Sequence, residues 1–190
     1  GLGDVYKRQD TLNSVIKNGS IDLSSVEITD DEIKDFEQIC IVACGSAWHV
    51  GMAAQYVLEE MADIPVRVEL ASEFRYRKMP IDQKALMIVV SQSGETADTL
   101  AALRLAKDKG LKTLGIVNVV GSSIAREADN VFYTLAGPEI AVATTKAYST
   151  QLIAAYCLAL QFAYVRGEME LSEYELSLIH ISEPTRLALI

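Results

Sequence analysis

Histidine is nearly absent, with two in 190 residues, and cysteine occurs three times, at Cys40, Cys44 and Cys157. So few thiols at such uneven spacing exclude a disulfide framework or a zinc site. They fit a reducing, cytosolic compartment. Basic charge is scarce too: 17 Lys and Arg stand against 26 Asp and Glu, a net charge of −9. No nucleic-acid partner is expected, because phosphate backbones attract basic faces. No apolar run approaches the roughly 18 residues of a membrane span. The polar amino terminus does not read as a signal peptide. What is present is 50% hydrophobic and 23% charged, ordinary for a globular domain and too apolar for a disordered chain. The length suits one domain, or one and a small part of another. Such a chain can bury roughly 70% of the surface its unfolded form exposes.

The two ends read as foreign. Asp4 to Gln9 (DVYKRQ) is the translation of a transposase-end sequencing adapter, and Leu176 to Ile181 (LSLIHI) is the translation of its reverse complement. Ser182 to Arg186 (SEPTR) continues into the adapter beyond. Segments of this kind are set aside before fold reasoning. Residues 1–9 and 176–190 are therefore expected to be adapter-derived, and residues 10–175 to be a piece of a gene that continues in both directions. With the ends removed, His49 is the one remaining histidine.

Residues 10–37 read as a polar lead-in. Thr29 to Glu32 (TDDE) has capping-box spacing and predicts a short helix carrying Ile33 and Phe36. An alternation follows. Strands are predicted at Ile39–Ala43, Pro65–Leu70, Ala85–Val90, Thr113–Val117 and Val131–Leu135, by their β-branched apolar runs. Helices are predicted at Ser46–Met61, Thr96–Lys109 with Gly110 as its left-handed stop, Ser122–Ala128 and Thr145–Tyr164. The last is apolar on so many sides that it is expected to pack against more than one neighbour. Strands alternating with helices imply an α/β fold with a parallel sheet. In such sheets ligands bind beyond the carboxyl ends of the strands, near the switch in strand order.

Three loops follow strands. Cys44 to Ala47 (CGSA) carries a turn glycine and Ser46, which reads either as a helix cap or as a ligand contact. Ser91 to Thr96 (SQSGET) places three hydroxyls and a glycine where a buried strand meets a helix. Free N–H groups and the helix dipole favour an anion there. The loop has no Lys or Arg and matches neither the G-x-x-x-x-G-K-[ST] nor the G-x-G-x-x-G pattern. It therefore suits a compact phosphomonoester. Glu95 is expected to point away from the anion, toward the dipole of its helix. Glu139 to Lys146 (EIAVATTK) offers Thr144 and Thr145 as caps for the long helix. Trp48 and His49 read as packing or surface residues, Lys146 as a surface charge, and Cys44 as a small buried residue.

In chain order, CGSAWHVG, ELASEFRYRK, VVSQSGETADTLAALRLAK, NVVGSSIARE and EIAVATTKAYSTQL together resemble the isomerase part of the glutamine–fructose-6-phosphate aminotransferase family, from about Thr11 to Phe162. SQSGET alone marks only the wider class of sugar isomerase (SIS) domains. The stretch from Ala71 to Arg77 is more particular. The resemblance implies a three-layer αβα sandwich, flavodoxin-like or Rossmann-like, with an SIS domain at 38–166 and the start of a linker at 167–175. It implies that Ser91, Gln92, Ser93 and Thr96 form a phosphate loop. Ser46 and Ala47 then belong to the first sugar-phosphate loop, where Ala47 replaces a frequent serine. Val142, Ala143 and Thr144 line the sugar. It further implies a cytoplasmic homo-oligomer, without cofactor or metal, whose partners are a sugar phosphate, a glutaminase domain and a second SIS domain of the same chain. The family's imine-forming lysine, glutamate base and ring-opening histidine belong to that second half, so no catalytic residue is assigned here. A single SIS phosphosugar sensor and a tandem-SIS isomerase or deglycase are the alternative readings.

Overall fold

The computed structural model describes residues 2–78, 80–138 and 144–182. The chain opens with α1 (Leu2–Val15), a short hairpin of β1 (Ile16–Lys17) and β2 (Ser20–Ile21), a 3-10 turn (Leu23–Ser25) and α2 (Asp30–Asp35). The alternating part follows as β3 (Gln38–Ala43), α3 (Ser46–Ala62), β4 (Val66–Leu70), α4 (Ala71–Phe74), β5 (Ala85–Ser91), α5 (Ala97–Asp108), β6 (Lys112–Val117), α6 (Ser123–Glu127), β7 (Asn130–Tyr133), α7 (Thr145–Arg166) and α8 (Leu171–Ser182).

Among the described residues, β3 to β7 form a parallel sheet in the order β4-β3-β5-β6-β7. Residues along β3 and β5 alternate between two cores, as the pleat requires. Ile39, Ile41, Leu86, Ile88 and Val90 face α3 and α7, while Cys40, Val42, Met87 and Val89 face the side of α4, α5 and α6. The α/β expectation therefore holds as a sheet covered on both faces.

The chain leaves β3 toward β4 on one side and returns to β5 on the other. The register sets Ala43 beside Val90, so the carboxyl ends of β3 and β5 are neighbours at this reversal. A crevice opens where consecutive crossovers leave in opposite directions.

Most of the sequence-based elements are present within a residue or two. The TDDE signal is realised in full: the Thr29 hydroxyl accepts from the Glu32 N–H, and the Glu32 carboxylate accepts from the Thr29 N–H at 2.9 Å. The expectation of a polar lead-in with one short helix is incomplete. Leu12, Val15, Ile21, Leu23, Val26, Ile28 and Ile33 are all buried in the main core, and the Thr11 hydroxyl donates to the Thr134 carbonyl. α1 begins and α8 ends within the segments read above as foreign.

The several apolar sides of α7 are met within this chain, by α1, α2, α3 and α8. The Tyr174 hydroxyl of α8 donates to Gln161 Oε1 at 3.0 Å and accepts from the Ile21 N–H at 2.8 Å. Phe36 stacks on Phe162 at 6.3 Å between ring centroids. At the far end of α7 the Arg166 guanidinium donates to the carbonyls of Ala62 and Phe36, both at 3.0 Å. A cation there complements the carboxyl ends of α3 and α2.

Candidate functional site

The loops after β3 and β5 meet in an open cleft of about 240 Å³ at the strand reversal. Cys44, Gly45, Ser46 and Ala47 form one wall, Ser91, Gln92, Ser93 and Thr96 the other, and Val90 and Gln151 also line it. None of these lining residues is charged. The sequence-predicted residues Ser46, Ala47, Ser91, Gln92, Ser93 and Thr96 are thus brought together. Val142 and Ala143 lie outside the described residues.

Each loop depends on a glycine. Gly45 is the residue before α3, with φ 58 and ψ −134, a conformation nearly reserved for glycine. It takes the cap position that Ser46 was a candidate for, so the Ser46 hydroxyl is free for another partner. That partner is Thr144, whose hydroxyl lies 3.0 Å away. Gly94 has φ 68, and a Cβ there would sit 2.0 Å from Ser122 Oγ. The turn therefore presses directly onto the start of α6.

Inside the second loop the buried Ser91 hydroxyl accepts from the Gly94 N–H at 3.1 Å and lies 3.0 Å from Thr96 Oγ1. The Ser93 hydroxyl accepts from the Glu95 N–H at 3.2 Å. Thr96 precedes α5 and Thr144 precedes α7, yet neither side chain caps its helix. The Thr96 hydroxyl pairs instead with Ser91 of its own loop, and the Thr144 hydroxyl with Ser46 of the first loop. What results is a set of neutral donors and short hydroxyls beside the amino termini of α3 and α5, chemistry suited to a small anion.

Glu95 is turned away, as expected, but it serves a different helix. Its carboxylate accepts from the Ser123 N–H at 2.7 Å, at the first turn of α6. Hydrogen bonding from the Ser123 side chain first, and from its N–H second, holds the Glu95 pKa below the usual carboxylate value. Cys44 is half-buried rather than buried, with Sγ 3.9 Å from the Thr99 hydroxyl. Trp48 packs on the main core and meets His49 edge-on at 5.0 Å. The Lys146 ammonium donates to the Pro138 carbonyl at 3.1 Å.

Gln151 was not singled out by sequence reasoning. It is one of two amides in the apolar stretch of α7, with Gln161, and only the packing turns it toward the cleft.

Residues 32–161 match the SIS domain family. The glutamine–fructose-6-phosphate aminotransferase (isomerizing) of Clostridium tetani is 55% identical over 168 residues, covering 88% of this chain and 28% of that protein. The same-named protein of Caldanaerobacter subterraneus is 56% identical over 162 residues, covering 85% and 27%. Among solved structures, the C-terminal domain of glucosamine-fructose-6-phosphate aminotransferase from Francisella tularensis superposes with a TM-score of 0.91 at 35% identity. It covers 98% of this chain and 54% of that one. The chain thus spans under a third of the length of these curated relatives.

Proposed function

The chain belongs to the SIS domain family, and from that premise we propose that it is the first SIS half of a glutamine–fructose-6-phosphate aminotransferase. In this reading it holds most of the cradle for fructose 6-phosphate. The observation that carries it is the convergence of the Ser46, Ser91, Ser93 and Thr96 hydroxyls on one uncharged cleft at the strand reversal. Neutral donors beside two helix amino termini suit a phosphomonoester that needs no bridging metal. Gln92 closes the phosphate side, Ala47 supplies contact without a hydroxyl, and Thr144 lines the sugar.

The parent protein converts fructose 6-phosphate and glutamine to glucosamine 6-phosphate and glutamate, in the cytoplasm, as a homo-oligomer and without a cofactor. Its glutaminase domain supplies ammonia. Its second SIS half supplies the imine-forming lysine, the base and the ring-opening histidine. Residues 10–175 are the native part of this chain. The chain alone forms no glucosamine 6-phosphate, and product formation by it in a coupled assay would contradict this division of labour.

Calorimetric titration tests the binding. Fructose 6-phosphate is expected to bind, inorganic phosphate to bind more weakly, and fructose not to bind. No heat with fructose 6-phosphate, or equal affinity for fructose, would overturn the reading.

A further inference from the structure

We infer that Gln151 is a further ligand-binding residue, pairing with a hydroxyl of the sugar that the phosphate loop anchors. The inference rests on the proposed function, since it names what the same cleft holds beside the phosphate.

α7 carries two buried glutamines, and they are treated differently. Gln161 accepts from the Tyr174 hydroxyl at 3.0 Å and lies within the core. Gln151 is only 2% exposed, yet its side-chain amide has no hydrogen-bond partner among the described residues. Its buried neighbour Thr150 donates to the Ala147 carbonyl of its own helix at 3.1 Å. Gln151 is not among the described residues whose side-chain polar atoms are sealed from solvent without a partner, so its amide keeps a small accessible surface that can meet a ligand. The little surface that Gln151 retains lines the cleft, beside Ser46, Ser91 and Thr96.

The chemistry of the amide selects its partner. A carboxamide offers two donors and one acceptor. A phosphate dianion has only acceptors and would leave the amide oxygen unpaired. A sugar hydroxyl both donates and accepts, so it can satisfy the amide in either sense. The neighbouring hydroxyls and loop N–H groups already suit the phosphate, which leaves the amide for the carbon chain attached to it.

The test is Gln151→Met, which keeps length and helix propensity, with Gln151→Leu as a second variant. Both replace an amide that makes no hydrogen bond to the described residues with an apolar side chain of similar size, so both are expected to melt close to the wild-type temperature. Titration with fructose 6-phosphate is expected to show about a tenfold loss of affinity, while inorganic phosphate binds as before. Unchanged affinity for fructose 6-phosphate would overturn the inference. So would an equal loss for both ligands, because the amide would then act on the phosphate or on the loop itself. A wild-type chain that binds neither ligand fails at the proposed function, an outcome distinct from either.

Discussion

The hydroxyls of Ser46 and Thr144 lie 3.0 Å apart across 98 residues of sequence. This bond ties the loop after β3 to the start of α7, so the two side chains act as one unit. Ser46→Ala and Thr144→Val are each expected to cost about 0.5–1 kcal/mol of unfolding free energy. The double variant is expected to cost no more than the larger single one. Strictly additive losses in a urea-denaturation cycle would mean that the groups are independent.

Ser93 tests the proposed phosphate loop with little risk to the fold, because the residue is half-exposed and its hydroxyl accepts from the Glu95 N–H. Ser93→Ala is expected to weaken fructose 6-phosphate binding by about 1.5–3 kcal/mol, the range for a bond to a charged group. Equal affinities in two folded proteins would remove Ser93 from the site.

Gly94 is constrained twice, by φ 68 and by the Ser122 side chain against it. Gly94→Ala is expected to destabilise the protein by roughly 3 kcal/mol, from backbone strain and overpacking together. Adding Ser122→Gly clears the contact but not the strain. The pair should therefore recover part of the loss in denaturant unfolding, and no recovery would place the whole cost in the backbone.

Asp129 accepts from the Lys107 ammonium at 2.8 Å, the Thr113 hydroxyl at 2.7 Å and the Thr113 N–H at 3.0 Å. Partial burial pushes its carboxyl up, but these partners outweigh that and hold it below the usual value. Since the folded pKa lies below the unfolded one, the ionised group stabilises the fold above about pH 4 and loses that effect as pH falls. Asp129→Asn is expected to lower the melting temperature near neutrality, and its gap from wild type to narrow progressively as pH falls below about 4. A gap that stays constant with pH would assign the loss to packing.

The proposed adapter origin of residues 1–9 and 176–190 is tested at the level of DNA. Reading the source past Gln9 and past Glu175 is expected to replace both tails, with a glutaminase coding region upstream and a second SIS half downstream. A stop codon soon after Glu175, or a helix-turn-helix upstream, would point instead to a single SIS sensor.

The features legible without a structure are those fixed over a few residues. The box from Thr29 to Glu32 closes within one turn, and the run from Ala85 to Val90 must be buried on both faces because it is apolar at every position. The SQSGET loop is legible from the sequence as well, since a strand end, a glycine and three hydroxyls already mark it as the candidate for the proposed anion site. Tertiary structure alone decided the rest. The strand order that sets Ala43 beside Val90 comes from crossovers that no local period records. The lead-in reads as polar because its apolar residues are sparse, yet they close the core over α7. Glu95 reaches the start of α6 only because the turn at Gly94 lies against Ser122. Gln151 turns toward the cleft only because α7 is packed on its other sides, and a helix apolar nearly all round carries no pattern that reveals which side stays open.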